Sequence, residues 1–579
     1  MLTQIKRREA DLNNAAFGSQ MPVLLQRIYS ARGLNQESQT RQALSDLLPP
    51  GQLKGLKQAT DLLVTALQQQ QKVLIVGDFD ADGATSCAVA LLALRAMGLH
   101  SVDFLVPNRF DYGYGLSPEI VKVAAVQRPH LIITVDNGIS SIEGVAAARA
   151  LGIDVLVTDH HLPGRELPDA NAIVNPNQEG CDFPSKNLAG VGVIFYVMSA
   201  LRARLRDIAW FDKQGLKEPN LANYLDLVAL GTVADVVPLD HNNRILVRQG
   251  LQRIRAGRAR PGLLALLELG GRQRERIVAS DLGFAVGPRL NAAGRLDDMS
   301  LGIQCLMCDA EELAREMALE LDDFNRDRKA IESSMQEEAL ASLGKVQAGQ
   351  DGEELPWGMC LYDPAWHQGV IGILASRIKD RYHRPVIAFA DAGDSEIKGS
   401  ARSIKGLHIR DALDAVASSN PGLLSKFGGH AMAAGMSLDK AKFEDFKTAF
   451  DAEVRRQLHS DDLQACILSD GDLSEADMNL PMAHELREAG PWGQHFPEPV
   501  FDGEFYLMQQ RIVGAKHLKM VVSPDAKGER LIDAIAFNVD LALWPNQDTG
   551  RVKLAYRLDV NEFRGRQTLQ FMVEYLEAV

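Results

Sequence analysis

Apolar residues recur along this chain in two rhythms, one of strands and one of helices. From residue 72, β-rich runs at Val73–Val76, Val102–Val106, Leu131–Val135, Val155–Val157 and Ala172–Val174 are separated by amphipathic stretches such as Thr85–Met97 and Ser117–Val126. Strands that alternate with helices predict βαβ units and a mostly parallel sheet. Helical segments are expected from about Leu188 to Leu269. Residues 310–345 hold no Pro, and no Gly before Gly344, so they predict one long charged helix that spaces two domains. After a polar linker at Gln347–Glu354, a second α/β unit is expected from Gly358 to about Leu458. The last part alternates at Val500–Met508, Leu518–Val522, Leu531–Asn538, Val552–Leu558 and Leu569–Tyr575. Five short strands suit a small barrel of the OB type.

The expected class is therefore α/β. A parallel-sheet domain at 51–305 follows an N-terminal extension at 1–50 and is joined by a helix at 306–346 to a smaller α/β domain at 355–458. The barrel, a candidate OB fold, occupies 461–579.

Composition narrows the class only a little. The chain has 579 residues, 46% hydrophobic and 24% charged, as folded soluble proteins do. No apolar run reaches membrane-spanning length, and Met1–Leu12 lacks a signal-peptide core, so a cytoplasmic place without a membrane partner is expected. Six scattered cysteines exclude a disulfide framework, and Cys305 and Cys308, a lone CxxC, are expected as buried apolar residues. The net charge of −14 argues against a general polyanion binder. Residues 241–280 nonetheless carry nine arginines against Glu268 and Glu275. Two readings stand for that run, a solvated helix face and a phosphate-facing surface.

The carboxylates and histidines carry the chemistry. Val73–Val76 leads into Gly77-Asp78-Phe79-Asp80-Ala81-Asp82-Gly83, Leu131–Val135 into Asp136-Asn137-Gly138, and Val155–Thr158 into Asp159-His160-His161. Ligands bind at the carboxyl ends of strands in open parallel sheets, so these clusters are expected on one edge. Acids gathered there repel one another unless cations neutralise them, and Asp-rich sets with one or two His suit Mn²⁺ or Mg²⁺. Two such ions can activate a water at a phosphoryl group. Asp226 and Asp235 flank an apolar segment, and spacing does not say which is a ligand and which a cap.

Asp159-His160-His161 is the signature of the DHH phosphoesterase family, which the chain resembles. Asp78–Gly83, Asp136–Gly138 and Gly231–Asp235 look like that family's other motifs, in its order. Val106–Gly115, Gly287–Arg295, Trp366–Gly369, Gly399–Ser403 and Phe427–His430 are similar to the branch that degrades single-stranded DNA from its 5′ end. The resemblance runs from about residue 50 to the C-terminus. It implies two ions, Mn²⁺ or Mg²⁺, one held by Asp78, Asp80 and Asp136 and the other by Asp82, Asp136, His160 and Asp235. Asp136 would bridge them, His161 would face the scissile phosphate, and Asp226 would be structural. For Asp159 a role as acceptor for a metal-bound imidazole and a purely structural role both stand.

The second α/β unit resembles the DHHA1 domain, the substrate-binding partner of the DHH domain. The family pattern implies phosphate contacts from Arg109, Arg289, Ser400 and Arg402, and further substrate contacts from Asn291, Arg295, His367, Gly429 and His430. His367 is alternatively a cap for the helix that starts near Val370, and Arg377 is a weaker candidate. The barrel would bind single-stranded DNA through Arg551, Lys553, Arg557, Arg564 and Arg566, interleaved with Tyr556 and Phe563. Which of Tyr506, Phe537, Tyr556 and Phe563 face solvent stays open. The resemblance also implies a monomer in recombination and repair, beside a single-strand-binding protein and a RecQ-type helicase. Alternatives are a small-substrate phosphoesterase acting on oligonucleotides or polyphosphate, and a non-catalytic replication scaffold.

Overall fold

The computed structural model describes residues 4–107, 115–347, 355–393 and 395–579, with the side chains of 342–347 left aside. The chain divides into two compact units: Arg7–Phe324 with Leu468–Val579, and Met1–Lys6 with Asn325–Ile467. No helix among the described residues is long and apolar enough to cross a membrane.

In the larger unit, strands β1 (Val73–Gly77), β2 (Val102–Leu105), β3 (Leu131–Val135), β4 (Asp154–Thr158) and β5 (Ala172–Val174) form a parallel sheet in the order 2-1-3-4-5. β1 and β3 are buried throughout, as a sheet covered on both faces requires. The strand order reverses between β1 and β3, and the crevice beyond their carboxyl ends is where such sheets take ligands. Helices at Ala81–Ala96 and Gly190–Asp207 pack beside it, and the helix Leu225–Ala234 packs on those two.

The smaller unit holds β6 (Met359–Tyr362), β7 (Val386–Asp391), β8 (Glu396–Arg402), β9 (Lys426–Gly429) and β10 (Ala433–Asp439) in the order 9-10-8-7-6. Only the β6–β7 pair is parallel. The expected long helix is present at Glu311–Gln347, and Arg328, Glu332 and Asn325 form a buried hydrogen-bonded set on it. The linker expected at Gln347–Glu354 lies, beyond Gln347, outside the described residues.

Strands β11 (Phe501–Val513), β12 (His517–Ser523), β13 (Ile532–Ala536), β14 (Arg551–Phe563) and β15 (Arg566–Ala578) close a barrel in the order 11-12-13-15-14. Tyr556, stacked on Phe571 at 4.0 Å, fills its core and is fully buried, whereas Phe537 and Phe563 are exposed and Tyr506 is half-buried.

The barrel is not a separate module. Its core residues and those of the parallel sheet belong to one continuous apolar cluster. The N-terminal extension straps the two together. Arg32 and Asp470, with side chains 1% and 0% exposed, pair at 2.8 Å. The Tyr29 hydroxyl donates to the Ala489 carbonyl, and its ring stacks on Phe496. On the side of the parallel sheet, the Leu48 N–H donates to Asn242 and the Gln249 amide to the Gln42 carbonyl.

The arginine run has the same task. Arg244 lies over the Phe496 ring at 4.3 Å, Arg248 and Arg255 pair with Glu488, and Arg276 pairs with Glu562. Arg260 reaches Asp309 and Arg272 reaches Asp281. Only Arg244 among the nine is buried, and most of the others are held in ion pairs. Cys305 is buried with its thiol on the Ala314 carbonyl, and Cys308 bonds separately to the Ala310 carbonyl.

Candidate active site

Three loops at the carboxyl ends of β1, β3 and β4 bring the acids and imidazoles together. After β1, Asp80 caps the helix Ala81–Ala96, accepting from the N–H groups of Asp82 and Gly83 at 3.0 Å each. That cap turns Asp82 inward, where the first N–H groups of the helix Gly190–Asp207 meet it: Gly190 donates at 2.6 Å and Val191 at 2.9 Å. A helix N-terminus favours an anion, but burial and the Asp80 charge prevail and push the Asp82 carboxyl up to about 7.

Asp136, after β3, adopts a left-handed backbone at φ +61. This is a strained conformation for a non-glycine residue, of order 1–3 kcal/mol, of the kind held at functional sites. Two neighbours enforce it. The buried Asn137 amide donates to the carbonyls of Val76 and Val135, pinning the ends of β1 and β3 together. Gly190 packs against Asp136 so closely that a Cβ there would lie 2.6 Å from the Asp136 Cβ. Burial and the charges of Asp82, Asp80, Asp235 and Asp78 drive Asp136 well above the usual carboxylate range.

After β4, Asp159 organises both histidines. Its Oδ1 accepts from the His160 and His161 N–H groups and lies 2.8 Å from His161 Nδ1, and its Oδ2 accepts from the Ile139 N–H. Burial opposes its charge, but the His161 hydrogen bond and the charges of both histidines hold it below the ordinary value. Burial lowers His161, yet the bond to Asp159 and the surrounding acids leave it raised. His160 Nε2 stands 3.1 Å from Asp136 Oδ1, 3.4 Å from Asp235 Oδ2 and 4.0 Å from Asp82 Oδ2. Asp235 is the C-cap of the helix Leu225–Ala234, and burial and the charges of Asp82, Asp80, Asp78 and Asp159 raise it. Asp226, at the helix's other end, is buried and accepts from the Arg260 N–H, far from this chemistry in role.

Donor atoms gather in three sets, each within 4.8 Å: Asp78–Asp80–Asp136, Asp82–His160–Asp235, and Asp136–His160–His161. Five acids on one buried edge repel one another, and the upward shifts of Asp82, Asp136 and Asp235 express that repulsion. Oxygen-rich donors with imidazole and without thiolate fit hard divalent cations.

Several residues in this framework went unnoticed in the sequence. Asn175 and Asn177, after β5, donate to the carbonyls of His161 and His160. Their signal is positional, since polar residues follow this short strand as the acids follow the others. Asn137 carried the same signal.

The other candidates fall into different places. Arg109 lies outside the described residues. Arg289 does not present an open phosphate fork: it is buried and donates to Asp322 at 2.8 Å and to the Leu269 carbonyl. Arg289→Ala is therefore expected to lower the melting temperature by several degrees, and Asp322→Ala to do much the same, with the double variant little worse. An Arg289 variant of parental stability with a raised KM would restore the substrate role. Asn291 Oδ1 accepts from the Ala81 N–H at 2.8 Å, so it braces the Asp-rich turn, and Arg295 sits half-buried one turn later.

In the smaller unit, Arg402 Nη1 donates to Ser400 Oγ and to the Ala401 carbonyl. Burial holds its guanidinium below the usual value. Gly372, in the first turn of the helix Ile371–Tyr382, leaves room there, since a Cβ would lie 2.8 Å from both Arg402 and Ser400. His367 lies in the turn before this helix, whose N-cap is Val370: its carbonyl accepts from the Val370 and Ile371 N–H groups and its Nδ1 from the Gly369 N–H. Gly429 ends β9 at φ +146, and the next N–H, of His430, donates to the Ala433 carbonyl. Arg377 is committed to Glu332 at 2.8 Å.

Comparison with known proteins follows the same division. The DHH family N-terminal domain matches residues 72–232, the DHHA1 domain 358–456 and the RecJ OB domain 469–575. The single-stranded-DNA-specific exonuclease RecJ of Salmonella typhimurium is 56% identical over 99% of this chain and 98% of its own length. The crystal structure of Thermus thermophilus RecJ with Mn²⁺ superposes with a TM-score of 0.77, at 31% identity over 96% of this chain and 76% of that one. Its complex with Mg²⁺ gives 0.72 at 29% identity, over 96% and 74%. Matched from end to end by proteins of one activity, the chain belongs to the RecJ family of single-stranded-DNA-specific exonucleases.

Proposed function

We propose that the chain removes nucleotides successively from the 5′ end of single-stranded DNA, releasing 5′-mononucleotides, at the carboxyl edge of its parallel sheet. The observation that carries this reading is the pair of donor sets Asp78–Asp80–Asp136 and Asp82–His160–Asp235 on that edge. The donors would suit two Mn²⁺ or Mg²⁺ ions, the metals in the Thermus RecJ structures, and Asp136, in the first set and 3.1 Å from His160 of the second, would be the residue to serve both. When bound, such ions would supply neutralising charge at a phosphodiester and lower the pKa of a water, so that it gives up a proton and can attack phosphorus.

The chain's own residues do the rest. Asp80 and the N-terminus of the helix Gly190–Asp207 fix Asp82, Asn137 and Gly190 fix Asp136, and Asp159 fixes the His161 ring by its Nδ1. His161 is assigned to the scissile phosphate, as a charge-assisted donor that strengthens as negative charge gathers in the transition state. Arg402, Ser400 and the adjoining helix N-terminus form a phosphate cradle suited to a 5′ end, to which Arg109, His367, Gly429, His430 and Arg295 are further candidate contributors. The family supports work in recombination and repair, beside a single-strand-binding protein and a RecQ-type helicase. The relatives that span the chain are exonucleases, so the small-phosphoester and scaffold readings fall away.

The division between the two histidines is open to measurement. His160→Ala is expected to weaken Mn²⁺ binding by about 10- to 100-fold and to lower turnover. His161→Ala is expected to lower turnover by about 10²- to 10³-fold with metal affinity nearly unchanged. Calorimetric Mn²⁺ titration beside cleavage of an end-labelled strand tests both, and equal loss of metal binding in the two variants would sink the assignment. Product analysis on that strand tests direction, for a 5′ label must leave as mononucleotide in the first turnover.

A further inference from the structure

One stretch of chain reaches all three loops that carry the donor set Asp82–His160–Asp235. It is Ser185–Val191, which leads into the helix Gly190–Asp207. At its end the Gly190 and Val191 N–H groups hold the Asp82 carboxylate at 2.6 and 2.9 Å. At its start it is tied to the chain that follows Asp235. Asp240 Oδ2 accepts from Ser185 Oγ at 2.6 Å and from the Asn187 amide at 3.2 Å. The fully buried Asn243 amide donates to the Asn187 carbonyl at 2.6 Å and to the Pro238 carbonyl at 2.9 Å.

Between these ends, Lys186 turns to the third loop. Its ammonium donates to the Pro176 carbonyl at 2.8 Å and to the Cys181 carbonyl at 2.6 Å, closing the turn that follows β5. Pro176 stands between Asn175 and Asn177, whose amides hold the His161 and His160 carbonyls. The Asn177 N–H donates to Asn175 Oδ1 at 2.7 Å, so this turn is also bonded within itself.

The set Asp78–Asp80–Asp136 has braces of its own. Asp80 caps its helix, Asn291 accepts from the Ala81 N–H, and Asn137 pins the strand ends beside Asp136. Gly190 meets Asp136 as well as Asp82, whereas the bonds of Lys186 and Asp240 lead to the loops of His160 and Asp235. Donors around a cation have to keep their places within about 0.5 Å, and the partners behind them tune the affinity. The demand is greater where acids repel one another before the cation arrives.

We propose that Lys186 and Asp240 are positioning residues for the ion of the Asp82–His160–Asp235 set. Acting through Ser185–Val191, they keep the loops of His160 and Asp235 at the spacing that the set needs around Asp82. This rests on the two-ion reading above, and it names residues outside the donor sets that tune one ion and not the other.

The test is calorimetric titration of the full chain with Mn²⁺, after EDTA treatment and desalting. The parent is expected to show two binding events. Lys186→Met keeps the apolar stem and removes the ammonium. Asp240→Asn keeps an oxygen to cap the helix His241–Arg255 and gives up the acceptor of Ser185 and Asn187. Each is expected to weaken one event about 10-fold and to leave the other unchanged. Asp78→Ala and His160→Ala tell the events apart. Added to Asp78→Ala, Lys186→Met should still cost about 10-fold, and added to His160→Ala it should cost little, since the event it tunes is already weakened. Lys186→Arg restores donors for the two carbonyls and should recover most of the lost affinity. Melting in EDTA checks the fold of each variant, and Asp240→Asn carries the test should Lys186→Met not fold. Folded variants that bind both ions as the parent does overturn the proposal. So does an equal loss in both events, the mark of a general loosening of the unit. A parent that takes up fewer than two ions strikes the two-ion reading itself, and this proposal with it.

Discussion

Asp136→Asn is expected to lose strand cleavage by at least about 10³-fold while keeping the fold, the scale of loss for a group essential to transition-state stabilisation. Asparagine is the informative replacement. It tolerates the left-handed backbone found at φ +61 better than most residues do, so a loss of activity cannot be laid on a disturbed turn. It also keeps the volume packed against Gly190. What it removes is the charge placed between Asp78–Asp80 and His160. The stability outcome follows from the direction of the shift. Burial and neighbouring acids raise Asp136, so in the metal-free protein its ionisation costs stability at pH values above the usual carboxylate range. Removing it should leave the melting temperature in EDTA at pH 8 at or above that of the parent. Cleavage of a labelled strand at saturating Mn²⁺, beside melting in EDTA, gives both readings. More than about a hundredth of parental activity remaining would sink the bridging role.

A chain ending at Leu458 is expected not to fold into a soluble, monodisperse protein, although every metal donor named above lies before Val236. The reason is the shared core. Truncation removes Asp470 from the buried Arg32 guanidinium, and breaking a buried pair by deleting one partner costs about 3–5 kcal/mol. It also strips Phe496 from Arg244 and Tyr29, Glu488 from Arg248 and Arg255, and the barrel side of the continuous apolar cluster. Losses of that size compare with the whole stability of a domain. Size-exclusion chromatography and thermal melting of the purified fragment decide the matter. A monomeric fragment with a cooperative transition would show that the barrel is a detachable module after all. Asp470→Ala in the full chain is the milder companion, and should lower the melting temperature without changing metal binding.

The sequence by itself determined the elements and the chemistry. The runs Val73–Val76 and Leu131–Val135 are legible as buried strands because a parallel strand covered on both faces is apolar at every position, and both formed as expected. The acids after them are legible because a turn at a strand's carboxyl end is where a sheet exposes polar groups to a ligand. The long helix at Glu311–Gln347 follows from uninterrupted helix formers.

What only the tertiary structure decided is which charges are already matched. Arg289, Arg557 and the 241–280 arginines are open to a phosphate reading in one dimension, yet in three Asp322 holds Arg289, Glu488 holds Arg248 and Arg255, Glu562 holds Arg276 and Glu574 holds Arg557. A guanidinium's partner lies from 17 residues away, for Arg557 and Glu574, to 286, for Arg276 and Glu562, which no local spacing encodes. The same holds for Asn137, Asn175 and Asn177, whose amides fix the catalytic loops by bonds to distant carbonyls. It holds for Tyr556, an interleaved aromatic that alternation places inside the barrel, while Phe537 stands outside at a strand end. Periodicity tells a strand's faces apart, but only the closure of the barrel says which face is the interior.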